Sequence, residues 1–125
     1  MGVVRTNEVE MIETPRGVKV GILAAPARGA REVLVLRQQQ EPGGQNVLHS
    51  HDREEVMIQL AGTVTMTVAD EPIEVTAGDS LIVAAHTVHH VTNTGDTVAE
   101  WLLAAPGGMR VFNHSGEDIT PPFIV

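Results

Sequence analysis

The chain has 125 residues, the size of one domain, and its lack of cysteine excludes disulfides, thiolate metal sites and thiol nucleophiles. Sixteen acidic residues against eight basic ones give a net charge of −8, which disfavours nucleic acid and anionic membrane surfaces as partners. The N-terminus has no basic region followed by an apolar one, and no apolar run is long enough to span a bilayer. We therefore expect a cytoplasmic protein.

Predicted strands follow one another along almost the whole chain. Val, Thr and Gly are frequent, and no long stretch has helical periodicity. Short apolar or alternating segments between turns lie at 18–23, 32–39, 47–51, 55–60, 63–68, 73–75, 80–84, 87–93 and 98–104, with a further one at 110–112. This pattern predicts an all-β sandwich or jelly-roll barrel with little or no helix. We expect the chain to form a single domain over 1–125, with an extended tail at 106–125.

Local composition also predicts one turn, one exposed strand end and one strand that is covered on both faces. Residues 70–72 are expected to form a turn, and the glutamine run at 38–40 is expected to mark an exposed strand end. Residues 33–36 are all apolar, so this strand is expected to be covered on both faces. Because a barrel fills only one of these faces, we expect a second subunit on the other and hence a homodimer.

Four side chains that can bind metal are predicted to converge. His49 and His51 lie two residues apart on one strand, so they point to the same face, roughly 7 Å apart. Glu55 begins the next strand after a short turn, and His89 comes from a later strand. Three imidazoles and one carboxylate suit one divalent Fe, Mn, Ni, Co, Cu or Zn ion rather than Ca or Mg. This ligand set leaves positions open on an octahedral ion.

Neighbouring residues are candidates for other roles in the site. Glu54 is a rival ligand to Glu55, but it points to the opposite face once the strand has begun. The candidates to line a pocket are Met57, Gln59 and Val91, which share the faces of the proposed ligands. For Met57, plain filling of the barrel is the simpler explanation, whereas a buried Gln59 needs a hydrogen-bonding partner.

The remaining histidines are predicted to lie outside the ligand set. His90 points away from the face that His89 serves, and His114 lies in a polar tail. Trp101 is expected in the core.

The chain resembles a single-domain cupin, a small metal-binding β-barrel protein. The first motif of that family is Gly-x5-His-x-His-x3/4-Glu-x6-Gly, and residues 43–62 match all of its fixed positions. The matching residues are Gly43, His49, His51, Glu55 and Gly62.

The second motif of the family, Gly-x5-Pro-x-Gly-x2-His-x3-Asn, is matched in part by residues 78–93. Gly78, His89 and Asn93 agree with it. Ala84 stands where proline is usual, and His86 stands where glycine is usual. The ligand position is therefore intact, while the turn before it differs and leaves open whether His86 joins the site.

The resemblance implies a double-stranded β-helix that holds one divalent transition metal and a small organic ligand or substrate. Cupins include dioxygenases, decarboxylases, isomerases, epimerases and binding modules, and the fold alone does not choose among them. Open coordination positions favour a dioxygenase-like oxidoreductase in which Glu55 is a ligand or a base. A non-catalytic metal-binding or sensing module is the alternative. A sugar isomerase or epimerase is a second alternative, although this chain offers few hydroxyl-binding groups.

Overall fold

Eleven short strands carry the fold of residues 2–125, the part of the chain that the computed structural model describes. Their bounds are β1 (Ile12–Thr14), β2 (Val18–Ala24), β3 (Val33–Gln40), β4 (His49–His51), β5 (Glu55–Ala61), β6 (Thr63–Val68), β7 (Glu71–Thr76), β8 (Ser80–Val83), β9 (His89–Thr92), β10 (Ala99–Pro106) and β11 (Val111–Asn113). Three one-turn 3-10 helices complete this part of the chain, at Thr6–Glu8, Pro26–Arg28 and Pro122–Ile124. The prediction of an all-β chain with little helix is confirmed. Met1 of the predicted domain lies outside the described residues.

The strands form two antiparallel sheets. One sheet has six strands in the order β1-β2-β3-β10-β5-β8, and the other has five in the order β11-β4-β9-β6-β7. Strands that are distant in the chain are therefore neighbours in both sheets, such as β3 beside β10 and β4 beside β9. This arrangement is a jelly roll, as predicted.

Alternation along β10 shows which face of the larger sheet points inward. Ala99, Trp101, Leu103 and Ala105 are buried, while the residues between them are only partly buried. One apolar cluster packs β2 and β3 against residues from the C-terminal segment, and a second packs β5, β6, β7 and β9 around Trp101. Strands of both sheets thus point alternate, mostly apolar side chains into the interior.

Gly62 marks the point where the chain passes from one sheet to the other. It separates β5 of the six-stranded sheet from β6 of the five-stranded sheet and has a φ of +73°. A Cβ atom at this position would lie 3.0 Å from the Cα of Ala99. Both the left-handed backbone and the close approach of β10 therefore require glycine here.

The turn predicted at 70–72 begins one residue too late and ends two residues too late. Val68 pairs with Glu71, so the hairpin loop consists of Ala69 and Asp70, whose φ angles are +48° and +67°. Positive φ at both loop residues is typical of a type I′ hairpin, which matches the twist of its flanking strands. Pro72 lies inside β7 rather than in the turn. Proline is tolerated there because β7 is an edge strand.

The glutamine run at 38–40 does end a strand, as predicted, but it is not exposed, so that part of the prediction is wrong. β3 continues through Gln40, which is fully buried and pairs with Val18 of β2 and Ala99 of β10. The Nε2 of Gln40 donates to the carbonyl oxygen of Val91 at 3.2 Å. A polar side chain enters this core because it finds a backbone partner inside.

The segment predicted as an extended tail contributes to the barrel. Within it, β11 pairs with β4, and the register places Val111 opposite His51 and Asn113 opposite His49. Ile124 is buried in the apolar cluster formed by β2 and β3. The C-terminal residues therefore cover one end of the interior.

None of the helices among residues 2–125 is long and apolar enough to cross a membrane.

The hairpin between β6 and β7 offers a test of backbone strain. Alanine at a φ of +48° is strained, and asparagine tolerates this conformation better. We expect Ala69→Asn to raise the free energy of unfolding by about 1 kcal/mol in urea denaturation. Ala77→Asn is the matched control, since Ala77 is also an exposed turn residue but its φ is not positive. An equal gain in both variants would contradict the proposed origin of the strain.

Candidate metal centre

Two short strands bring the three predicted histidines together. His49 and His51 occupy alternate positions of β4, and both are buried, with the partly buried Ser50 between them. His89 begins β9 and is the register partner of His49 across the β4–β9 pair. The backbone therefore places all three imidazoles on the inner face of the five-stranded sheet.

The three rings are close enough to share one ion. Their centroids lie 4.9 Å apart for His49 and His51, 4.3 Å for His49 and His89, and 5.2 Å for His51 and His89. Each ring offers a nitrogen within 4.8 Å of the other two. Imidazole nitrogens that bind one metal ion at about 2.0–2.1 Å each are necessarily this close.

Glu55 meets two of these histidines from the other sheet. It is buried at the start of β5, with Oε2 3.0 Å from Nε2 of His51 and Oε1 2.9 Å from Nε2 of His89. Glu54, the rival candidate, is exposed. The structure thus brings Glu55 rather than Glu54 to the histidines.

Backbone carbonyls orient two of the imidazoles. Nδ1 of His49 donates to the carbonyl oxygen of Val47 at 2.6 Å, and Nδ1 of His89 donates to that of Thr87 at 2.8 Å. Because a carbonyl oxygen only accepts, the proton of each neutral ring sits on Nδ1, and Nε2 keeps its lone pair. This backbone support is typical of metal-binding histidines.

The site suppresses charge on one histidine and favours it on another. Burial, followed by the neighbouring His89 ring, lowers the pKa of His49 to about 4. Burial also opposes a charged His89, but the Glu55 carboxylate outweighs it and raises the pKa of His89. Burial raises the pKa of Glu55, yet the contacts with His51 and His89 outweigh it and lower that pKa to about 2. Glu55 is therefore a carboxylate at neutral pH.

The side chains present fit a divalent transition metal. Nε2 of His51, Nε2 of His89 and Oε2 of Glu55 are buried and make no well-formed hydrogen bond, although their separations are short. Buried polar atoms without partners are costly, and a cation bound between them would satisfy all of them. Nitrogen donors and one carboxylate oxygen match Fe, Mn, Ni, Co, Cu or Zn.

A cavity of about 290 Å³ opens onto the histidines. Its walls are mostly aliphatic and include two of the three predicted pocket residues, Met57 and Val91. Gln59, the third candidate, does not line the cavity. Its Nε2 instead donates to the carbonyl oxygens of Ala61 and Gly62, at 2.9 and 3.3 Å, so the backbone at the end of β5 holds it.

The sequence did not predict several other residues of the cavity wall. Gln38 and Trp101 enter it from β3 and β10, Arg16 from the turn before β2, and Ile119 and Phe123 from the C-terminal segment. These residues are scattered in sequence and meet only through the sheet order. The regular alternation of Leu34, Leu36 and Gln38 was the one signal that could have placed Gln38 inside.

The other histidines stay outside the cluster. His86 and His114 are exposed, and His90 lies on the opposite face of β9 from His89. His86 adopts a φ of +63°, the left-handed conformation for which its motif position usually has glycine, and its N–H donates to the carbonyl oxygen of His51 at 2.7 Å. The altered motif thus keeps the turn through a strained histidine.

Comparisons with known proteins agree with the fold. The family model for the cupin domain matches residues 36–105, so the chain belongs to the cupin family. No curated protein matches it.

Solved structures resemble the chain over most of its length. The polyketide cyclase RemF from Streptomyces resistomycificus has a TM-score of 0.76 at 19% identity, covering 85% of this chain and 79% of that one. A predicted oxalate decarboxylase from Thermotoga maritima has a TM-score of 0.71 at 27% identity, covering 84% and 98%. A sugar phosphate isomerase from Silicibacter pomeroyi has a TM-score of 0.72 at 18% identity, covering 92% and 89%.

The low pKa of His49 predicts an acid-sensitive stability for the metal-free protein. Between pH 6.5 and about 4, His49 is protonated in the unfolded chain but neutral in the folded chain. The free energy of unfolding therefore falls as the pH falls. Over this pH range the free energy of unfolding is expected to fall by about 3 kcal/mol. Urea unfolding of chelator-treated protein from pH 7 to 4 should show a weaker pH dependence for His49→Asn. His114→Asn is the control, and parallel curves for wild type and His49→Asn would contradict the prediction.

Proposed function

We propose that the chain is a metal-dependent enzyme that acts on a compact, largely apolar organic molecule, with oxygenase-type chemistry. The observation that carries the proposal is the buried cluster of His49, His51 and His89 at an aliphatic cavity of about 290 Å³. This volume is at the small end of the range for small-molecule sites. A metal held by these histidines would face whatever molecule the cavity holds.

Three imidazoles hold the metal in this proposal, and Glu55 is the fourth ligand. When bound, the ion supplies Lewis acidity or redox chemistry at its open positions. The carboxylate of Glu55 lies within 3.0 Å of two of the three rings. A carboxylate whose pKa is about 2 is a weak base, because a general base works best with a pKa near the operating pH. The ligand role of Glu55 is therefore favoured over the role of base.

The other residues of the site bind and enclose the substrate. Val18, Leu36, Leu103 and Met57 present aliphatic or thioether surface to the cavity and exclude water from it. Exclusion of water strengthens the electrostatic interactions between the ligand set and a bound molecule. The walls thus select for apolar surface, while the histidine end supplies the chemistry.

The cavity lining also weighs against the activities named for two structural relatives. A sugar phosphate needs a dense set of hydrogen-bonding groups, and oxalate is a small dianion. The wall of this cavity is mostly aliphatic, with Arg16 as its one lysine or arginine residue. The relative described as a sugar phosphate isomerase is 18% identical, which supports a common fold alone. A non-catalytic binding or sensing module remains the alternative function.

Metal content tests the ligand set. Protein purified without a metal-chelating tag is expected to contain about one Fe, Mn, Ni, Co, Cu or Zn ion per chain by elemental analysis. His51→Ala and Glu55→Gln each remove a ligand, and we expect either to lower metal affinity by about tenfold or more. His114→Ala, which removes an exposed histidine, is the control. Wild-type metal content in His51→Ala would contradict its role, and a wild type that takes up no metal would refute the proposed function.

Oxygen uptake tests the reaction. We expect the metal-loaded chain to consume oxygen with at least one member of a panel of enols, phenols and thiols. The uptake should disappear in His51→Ala and persist in His114→Ala. A chain that binds its metal but shows no uptake across the panel would favour the non-catalytic alternative.

We further infer that two copies of the chain associate through the outer face of the six-stranded sheet. A row of apolar residues crosses four adjacent strands of this face at Ile82, Val56, Ala104 and Val35. Ile82 is 66% exposed, and Ile58 in the next row is 37% exposed. A contiguous apolar surface on a chain with a net charge of −8 is best covered by the same surface of a second copy.

A charge placed on this face should break the dimer. Ile58→Glu is expected to convert a particle of twice 13.4 kDa to a monomer in light scattering at micromolar concentration. Ile73→Glu is a matched control because Ile73 is also 37% exposed but lies on β7 of the other sheet. A monomeric wild type, or a dimer that survives Ile58→Glu, would refute this interface.

A further inference from the structure

Gln38 is a polar residue whose strand neighbours in the cavity wall, Val20 and Trp101, are largely apolar. We propose that its Nε2 group donates a hydrogen bond to an oxygen of the bound molecule. The cavity would then select compact apolar molecules that carry an acceptor oxygen, such as a carbonyl, in addition to the group that faces the histidines. This specificity rests on the proposed function in one respect only, which is that the cavity takes a small organic molecule.

The position of Gln38 follows from the alternation of β3. Leu34, Leu36 and Gln40 are buried on the inner face of this strand, and Gln38 lies between the last two on the same face. Its register partners are Val20 of β2 and Trp101 of β10, which also line the cavity. Gln38 is therefore in a central strand, held on both sides.

The orientation of its amide is set by Trp101. The indole Nε1 of Trp101 donates to Oε1 of Gln38 at 2.6 Å. An indole nitrogen can only donate, so the oxygen of the Gln38 amide must face it, and the NH₂ group must point away. Trp101 is 2% exposed, so this contact is shielded from water. The amide cannot turn over without leaving the buried indole N–H without an acceptor.

The NH₂ group of Gln38 has no acceptor among residues 2–125, in contrast to the two neighbouring buried glutamines. Gln40 uses its Nε2 on the carbonyl oxygen of Val91, and Gln59 uses its Nε2 on those of Ala61 and Gly62. Neither of these two residues lines the cavity. Backbone carbonyl oxygens thus accept from the Nε2 groups of Gln40 and Gln59, whereas the Nε2 group of Gln38 is free to donate to a molecule bound in the cavity.

A free donor in an aliphatic wall discriminates between ligands of equal shape. A ligand oxygen placed against Nε2 of Gln38 gains a hydrogen bond, whereas a methylene group there leaves the N–H desolvated and without a partner. Sites built to hydrogen-bond a substrate reject analogues that lack the bonding group for this reason. Gln38 is accordingly a specificity-determining residue in the proposal.

Two other amide side chains line the cavity, Gln45 and Asn46, and because Gln45 is exposed to solvent the structural rival for this role is Asn46. It also lines the cavity, and its Oδ1 accepts from the backbone N–H of Val91 at 2.7 Å, which leaves its Nδ2 as a second donor. It lies in the loop before β4 rather than in a central strand. The two side chains can be separated by isosteric substitutions that each keep the accepting oxygen and replace the NH₂ donor with a carboxylate oxygen, Gln38→Glu and Asn46→Asp, so that both variants carry the same added negative charge.

The test compares cyclohexanone with methylenecyclohexane, which has the same shape but carries CH₂ in place of the carbonyl oxygen. Dissociation constants are measured by two-dimensional NMR titration on the full chain as purified, with metal content measured on the same samples. We expect the preference for the ketone over the alkene to fall by about fivefold or more in Gln38→Glu, the worth of one neutral hydrogen bond. The preference should change by less than about twofold in Asn46→Asp.

An unchanged preference in Gln38→Glu, or a loss of preference in Asn46→Asp, would overturn the proposal. So would a wild-type chain that binds neither probe. If Gln38→Glu fails to fold, Gln38→Met, which also lacks the donor, serves for the same comparison. The outcome is separate from that of the proposed function, because a chain without metal or oxygen uptake would still show or lack the Gln38 preference.

Discussion

Placing four ionisable side chains inside an aliphatic barrel is the constraint on which this structure depends. Buried polar groups without partners cost several kcal/mol, and buried charges cost more unless they are paired. The chain meets part of this cost by fixing Nδ1 of His49 and His89 on backbone carbonyls. Glu55 supplies negative charge between His51 and His89. Nε2 of His51, Nε2 of His89 and Oε2 of Glu55 remain without a well-formed hydrogen bond, and a cation bound between them would satisfy them together.

The five-stranded sheet is irregular near the site. β4 has three residues and β9 has four, and one register pair joins them. Loop contacts replace the missing ladder: Asn46 bonds the backbone of Val91 through both its own N–H and its Oδ1, and the N–H of His86 bonds the carbonyl of His51. The left-handed His86 costs about 1 kcal/mol and is tolerated because this bond holds the end of β4.

The meeting of His49, His51, His89 and Glu55 could be predicted from sequence, whereas the shape of the cavity could not. His49 and His51 share a face because of the period of a strand, and the spacing to Glu55 matches a known motif. Gln38 meets Trp101 across 63 residues of chain, and no local pattern predicts that pairing. The burial of the glutamine run could not be predicted, because composition does not reveal the backbone acceptor that Gln40 finds inside. The exact position of the loop at Ala69 could not be predicted, because the loop lacks the Asn-Gly signal of its turn type.

In the proposed function, the orientation of a substrate in this cavity has to come from a few polar atoms. Contact with aliphatic walls is favourable but has no direction, so it holds a molecule without turning it. The histidine cluster fixes one part of the molecule, and a second directional contact is needed to fix its rotation about that point. The free NH₂ group of Gln38 is such a contact, and its buried indole partner keeps it in place. Since reaction rates depend steeply on the alignment of reacting atoms, a donor remote from the metal then governs which substrates react.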